Sequence, residues 1–286
     1  MPLKTPMYEA QNAERYLRQS KIKAIQNSQN CRLLCYVAGC AAPITRDDII
    51  GIAELLHNVA GSEPPNVDLL LHTGGGEIDA AEKIVSMLRA STGKEGRFRV
   101  VVPDFAKSAG TLIALAADSI VMSDSSELGP IDPQFCKGDG DGNVQWHSVL
   151  NYLGAYDRLY FHLNEHPDDT SARIMFSKLD PTMVEQLLLV KKRALRLAEE
   201  HLNHWMFHKR VGNYTKIAAD LMDTTRWLSH GQMIGWEDAK EMGLEVQYLA
   251  SASEIWREYW ALYCLQRFAI KDDQKLFESD CVSLPM

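Results

Sequence analysis

Between residues 32 and 122 short apolar runs alternate with stretches of helical periodicity, and this alternation constrains the fold more than any other feature of the chain. Arg32-Leu33-Leu34-Cys35-Tyr36-Val37, Val67 to Leu71, Phe98 to Val102 and Ile120 to Met122 read as strands. Each is a continuous apolar run, the pattern of strands covered on both faces of a parallel sheet. Helices are expected between them: Thr45 with Asp47 and Asp48 starts one that carries Ile49, Ile50, Ile52, Leu55 and Leu56, a second runs from about Glu77 to Ala90, and a third from Ser108 to Ala117. The repetition predicts an α/β fold, a spiral of βαβ units with a mainly parallel sheet and right-handed crossovers.

Bulk properties narrow the class. At 286 residues with 46% hydrophobic content, the chain can bury a large core. A net charge of −8 without a single-sign block argues against an electrostatic grip on nucleic acid. The six cysteines include no C-x-x-C pair, which points to reduced thiols and a cytoplasmic protein. Charges spread through residues 1–30 leave no apolar core for a signal or anchor, and no stretch approaches the roughly 20 apolar residues of a membrane span.

The chain divides into a helical N-terminal arm (1–30), a main α/β domain (31–250) and a C-terminal aromatic helix and tail (251–286). The arm reads as exposed. After Gly129-Pro130, a polar turn at Lys137 to Asn143 has hairpin composition; a calcium loop is the minor alternative, since its acid at the twelfth position is missing. Helices follow at Ser148 to Asn164, Pro181 to about Val211 and Tyr214 to Asp223, then a strand–helix–strand unit of Arg226-Trp227-Leu228, Glu237 to Lys240 and Val246 to Tyr248. Trp256, Tyr259, Trp260 and Tyr263 form a stripe that must bury itself against the core or another subunit. His201, His204 and His208 share helical spacing, but the glutamate of a zincin motif is absent, so no metal is expected.

Two turns carry the chemistry. His72-Thr73-Gly74-Gly75-Gly76 follows one strand, and Lys107-Ser108-Ala109-Gly110-Thr111 follows the next. A tetrahedral acyl-transfer intermediate needs two donors aimed at its oxygen, and glycine lets backbone N–H groups approach a substrate closely. Gly75 and Ala109 are the candidate donors, with Ser108 the candidate nucleophile. Taken singly, Ser108 could be a helix cap and the glycines a tight turn; their order at strand ends of one parallel sheet favours a site.

These runs, with Glu127-Leu128-Gly129-Pro130-Ile131-Asp132-Pro133-Gln134 and the closing Leu228-Ser229-His230 and Glu237 to Leu244, resemble the Clp-protease/crotonase superfamily. More narrowly they resemble the serine dehydrogenase proteinase family related to signal peptide peptidase A. Glycine stands at Gly74, where that family's turn has proline. The resemblance implies a cytoplasmic, ATP-independent serine peptidase that acts on polypeptide or peptide substrates as a homo-oligomer, without cofactor or metal.

The general base is less directly indicated. A Clp-type histidine would fall about 25 residues after the serine, where the chain has Gly129 to Pro133. The signal-peptide-peptidase pattern implies a lysine made neutral by burial, and Lys178, ahead of the Asp180-Pro181 helix start, is the first choice. Lys191, Lys192 and His230 are the alternatives, each with a plain structural reading as a surface cation or a strand-end residue. Two other functions stay open: a crotonase-like acyl-transfer enzyme, which needs the paired donors but no nucleophile, and a catalytically silent oligomeric scaffold or adaptor.

Overall fold

The structure is a computed structural model that describes residues 5–57, 66–93, 95–138, 144–208 and 210–286. The chain opens with helices α1 (Pro6–Gln11) and α2 (Ala13–Gln29), then β1 (Arg32–Ala38), α3 (Asp48–Leu56), β2 (Val67–His72), α4 (Ile78–Thr92) and β3 (Phe98–Val101). Next come β4 (Phe105–Ala106), α5 (Ala109–Leu115), β5 (Ser119–Met122), β6 (Glu127–Leu128) and a hairpin of β7 (Gln134–Gly138) and β8 (Val144–Ser148). Three helices follow: α6 (Val149–Glu165), α7 (Thr170–Phe176) and α8 (Pro181–His201), the last running into a π-helical turn at Leu202–Met206. The chain closes with α9 (Tyr214–Leu221), α10 (Trp236–Glu241), β9 (Val246–Tyr248), α11 (Glu254–Phe268), β10 (Lys275–Glu278) and β11 (Ser283–Pro285).

The main sheet has the order β11-β10-β1-β2-β3-β5-β9. Its five strands from β1 to β9 are parallel, whereas β10 and β11 join antiparallel. The α/β class with a mainly parallel sheet, expected from the apolar runs, is what the chain adopts. Register explains why those runs are continuous. Leu34, Leu69, Val100, Ile120 and Val246 form one row across the sheet and face the larger core, with Ile52 of α3, Ile84 of α4, Leu112 of α5 and Leu197 of α8. Cys35, Leu70, Val101 and Val121 form the next row and face the opposite layer. Both faces are dry, so the runs are almost continuously apolar, and the charges that interrupt them, Asp68 on β2 and Arg99 on β3, are buried and hydrogen-bonded to each other.

That opposite layer consists of α2 and α11. Ile22 and Ile25 pack there with Trp256, Tyr259, Leu262 and Tyr263. The segment expected as an exposed arm therefore packs its α2 onto a sheet face, with Ile22 and Ile25 buried on one side of that helix. The aromatic stripe is likewise turned onto the core, with Trp260 left partly exposed.

Three further differences have local causes. Arg226-Trp227-Leu228 is not a strand: Asp223 accepts hydrogen bonds from Thr225 N and Oγ1, and this turn aims Trp227 inward while Leu228 is left exposed. The long helix expected to reach Val211 ends as an α-helix at His201. Its start is as expected, with Pro181 in the first turn and Asp180 capping the N–H groups of Thr182 and Met183. The polar turn at Lys137 to Asn143 joins β7 to β8, and its central residues 139–143, including most of the proposed calcium loop, lie outside the described residues.

Candidate active site

The site forms where β2 and β3 end side by side. Thr73 N–H donates to Phe105 O at 3.0 Å, and Lys107 N–H donates to Thr73 O at 3.0 Å, so the glycine turn and the Ser108 turn are zipped together. A bridge between Ile44 and Gly76 fixes the far side of the glycine turn. Gly75 has φ +98°, and a Cβ there would lie 2.8 Å from Lys107 O and 2.9 Å from the Ser108 Cβ. Only glycine permits this approach. Gly110 serves the same closeness one turn later, since a Cβ would meet Thr73 Cγ2 at 2.6 Å.

Ser108 stands immediately before α5 with φ 51° and ψ −112°, a backbone conformation that L-residues rarely adopt. Holding a serine there stores on the order of 1–3 kcal/mol, which the surrounding structure must over-determine. The anchors are visible. All of α5 from Ala109 to Leu115 is buried, and the Thr111 hydroxyl lies 2.8 Å from both Ala106 O and Gly129 O.

The candidate donors differ in occupancy. Gly75 N–H donates to Thr73 Oγ1 at 3.1 Å, and Gly75 O accepts from Ile44 N–H at 2.7 Å. Among the described residues, neither Gly76 N–H nor Ala109 N–H has a hydrogen-bond partner. The turn therefore offers a second amide beside the one expected from sequence.

Ser108, the glycine turn and His230 line one cavity of about 830 Å³. Its wall is largely apolar, with Ala42, Ile44, Ile78, Leu112 and Ile131, and Glu77 and Asp79 contribute negative charge at one side. Asp132 sits behind His230. It is 5% exposed, its Oδ1 accepts from Ser148 Oγ at 2.8 Å, and its Oδ2 lies 3.5 Å from His230 Nδ1.

Lysines do not reach this cavity within the described chain. Lys178, expected to be buried so that it could lose its proton, is exposed in the link between α7 and α8. Lys191 and Lys192 on α8 are exposed and do not line the cavity, although their neighbour Val190 does. On α8, Lys192 falls away from the inward row of Val184, Leu187, Ala194 and Leu197, whereas Lys191 shares the spacing of that row and is exposed nonetheless. Lys107, which sequence reasoning passed over, is the lysine beside Ser108. Its Nζ donates to Glu127 Oε2 at 2.6 Å and reaches Leu128 O at 3.3 Å and the carbonyls of Gly231 and Gln232 at 3.4 Å. Held by a carboxylate and three carbonyls, it is an ammonium clamp that ties the His230 loop to the Ser108 turn.

The remaining histidines have structural contacts. His72 is buried, with Nδ1 2.9 Å from Ala38 O, Nε2 3.4 Å from Asp104, and its ring against Phe105 and Tyr263. His201 is buried with Nδ1 3.0 Å from Leu112 O. Among the described residues no cluster of His, Cys, Asp and Glu could hold a metal ion, and no helix is long and apolar enough to cross a membrane.

Comparison with known proteins bears on the same segment. The sequence model of the family described as ClpP-like SDH-type serine proteinase matches residues 44–145, which contain both turns. Two uncharacterized proteins of Methanocaldococcus jannaschii are similar in sequence. One is 29% identical over 206 residues, 71% of this chain and 60% of its own length; the other is 29% identical over 182 residues, 63% of this chain and 51% of its own. The chain thus spans somewhat over half the length of these relatives. Among solved structures, a variant of the 1510-N membrane-bound stomatin-specific protease superposes with a TM-score of 0.44 at 18% identity, covering 79% of this chain and 84% of the other. ClpP1 from Listeria monocytogenes superposes with a TM-score of 0.43 at 13% identity, covering 82% and 96%. The resemblance read from the glycine turn and the Ser108 turn and the match to the family described as ClpP-like SDH-type serine proteinase fall on the same segment, residues 44–145.

Proposed function

We propose that the chain hydrolyses peptide bonds through Ser108, with His230 as the general base. The observation that carries this reading is the strained Ser108, held at a fixed turn and facing the same cavity as His230. Ser108 Oγ attacks the scissile carbonyl carbon while its proton passes to His230 Nε2. The carbonyl oxygen becomes an oxyanion and is received by Ala109 N–H and by the glycine turn, through Gly75 or its unpartnered neighbour Gly76. Collapse breaks the C–N bond as His230 returns the proton to the leaving amine. Water then repeats the sequence on the acyl-enzyme. The apolar wall favours an extended polypeptide with apolar side chains, and Glu77 and Asp79 disfavour acidic residues beside the scissile bond.

The assignment to His230 replaces the Ser-Lys pair expected from the resemblance, since the exposure of Lys178 removes the burial that a neutral lysine requires. Delivery of Lys178 by a second copy is the competing arrangement. Homo-oligomer formation is part of the proposal, supported by the exposed Tyr160, Phe161, Ile174, Met175, Leu188 and Leu189 on α6, α7 and α8. Turnover without nucleotide and a cytoplasmic location come with the family resemblance.

The test is labelling with a fluorophosphonate probe together with casein or peptide turnover, in the absence of nucleotide. Wild type should label and turn over, Ser108→Ala should do neither, and His230→Ala should lose both while Lys178→Ala keeps them. Loss in Lys178→Ala with retention in His230→Ala would return the role to lysine. Equal labelling of Ser108→Ala would end the serine-hydrolase reading.

A further inference from the structure

We infer that Asp132 is the positioning residue of this site: its carboxylate holds the His230 imidazole in the orientation and tautomer that proton transfer from Ser108 requires. The inference rests on the assignment of His230 as base and goes beyond it in naming the group that makes His230 competent.

Asp132 is a buried carboxylate at 5% exposure, and among the described residues its ion-pair partner is His230 alone, with no lysine or arginine at its side. Removing a charge from water without a cation costs several kcal/mol, so a carboxylate in this setting needs either several donors or a role. The structure gives it one hydrogen bond, from Ser148 Oγ. That bond fixes Oδ1 and leaves Oδ2 directed at His230. Ser148 is itself fixed, because its Oγ caps α6 by accepting from Asn151 N–H at 3.0 Å. Asp132 lies between Pro130 and Pro133, a stretch whose backbone has little freedom to move the carboxylate away.

The histidine side of the pair is complementary. His230 Nδ1 is buried and makes no hydrogen bond of good geometry, an orphan that a native structure rarely tolerates. Its 3.5 Å approach to Asp132 is at the limit of hydrogen-bond distance, and catalytic contacts of this kind are often long until substrate is bound. A small ring rotation closes it. With Nδ1–H donating to Asp132, Nε2 carries the lone pair, and His230 lines the same cavity as Ser108. The loop cannot drift, because Leu128 and Ile234 exchange backbone hydrogen bonds of 2.9 and 3.0 Å and Lys107 reaches the Gly231 and Gln232 carbonyls. During reaction the Asp132 carboxylate stabilises the imidazolium; the proton that leaves Ser108 Oγ resides on Nε2 until the amine takes it.

The test is a double-mutant cycle read by the rate at which a fluorophosphonate acylates Ser108 and by kcat and KM on a peptide. Asp132→Asn should lower acylation and kcat by about 10²- to 10⁴-fold, with KM changed less than about twofold. In a His230→Ala background the same substitution should have almost no further effect, since Asp132 acts through the ring that is gone. An equal loss in both backgrounds overturns the inference, as does a wild-type rate for Asp132→Asn. Should Asp132→Asn fail to fold, Ser148→Ala removes the group that fixes Oδ1 and should lower kcat by about tenfold with the same dependence on His230. A wild-type rate for His230→Ala beside an inactive Ser108→Ala would instead defeat the assignment of the base, an outcome distinct from an inactive His230→Ala with a fully active Asp132→Asn.

Discussion

A positive φ at a serine is maintained against its own preference, and Ser108 and Gly75 are two sides of one arrangement. Gly75 must lack a side chain so that Ser108 can hold its turn, and the Ser108 turn occupies the space where that side chain would be. Two outcomes follow at this scale. Ser108→Gly relieves backbone strain and should raise the thermal midpoint above that of Ser108→Ala by the equivalent of about 1 kcal/mol, with both variants inactive. A midpoint for Ser108→Gly below that of Ser108→Ala would show that the turn is not strained. Gly75→Ala forces its Cβ onto Lys107 O and should cost about 1–3 kcal/mol of stability and at least tenfold in turnover. Chemical denaturation and casein turnover measure the two effects. Ser108 and the glycines stood out in sequence through their order at strand ends of one parallel sheet, since each alone reads equally as a cap or a tight turn. The Asp132–His230 pair was not, since the two residues sit in different loops and only the folded chain brings Asp132 behind the ring.

At the scale of elements, the site depends on how α8 holds α5. His201 closes the last α-helical turn of α8 and contacts the Leu112 carbonyl on the helix that begins at Ser108. Burial lowers its pKa from the usual 6.5, against the hydrogen bond to Leu112 O, which raises it. The sign follows from proton counting. His201 stays neutral in the folded chain at pH values where the unfolded chain already protonates it, so the unfolded state binds more protons and stability rises with pH. The stability is full above about 6.5 and is lost as pH falls below that value toward the lowered folded pKa. Denaturation midpoints of wild type and His201→Gln between pH 5 and 8 test this: the wild type should lose stability on acidification more steeply than the variant, and parallel curves would remove His201 from the account. Sequence gave the helical spacing of His201, His204 and His208 but not which of them faces inward. That choice is made by the π-helical turn after His201, which redirects the chain so that His204 and His208 are exposed.

At the scale of the whole molecule, the ends of the chain close the sheet. The antiparallel strands β10 and β11 were not expected from sequence, because Lys275-Leu276-Phe277-Glu278 places charges where a central strand should be apolar. Both charges are buried and paired. Lys275 Nζ lies 2.5 Å from Asp48 Oδ1, and Glu278 accepts from Arg18 Nε at 2.9 Å and from Gln266 Nε2 at 3.1 Å. Glu278 thereby joins β10 to α2 and α11, elements from opposite ends of the sequence. Removing one partner of such a pair leaves an uncompensated buried charge, whereas replacing both with apolar residues removes the desolvation penalty along with the attraction. Arg18→Met should therefore lower stability by about 3–5 kcal/mol in urea denaturation, and adding Glu278→Leu should recover much of that loss. Additive losses in the double variant would mean that Glu278 acts through Gln266 and Ser283 rather than through Arg18. Because β10 pairs with β1, which in turn pairs with β2, loosening this edge should also reach the glycine turn at the end of β2. Casein turnover by Arg18→Met should accordingly fall at temperatures below its unfolding midpoint. Turnover that stays at the wild-type level up to that midpoint would separate the closing edge from the site.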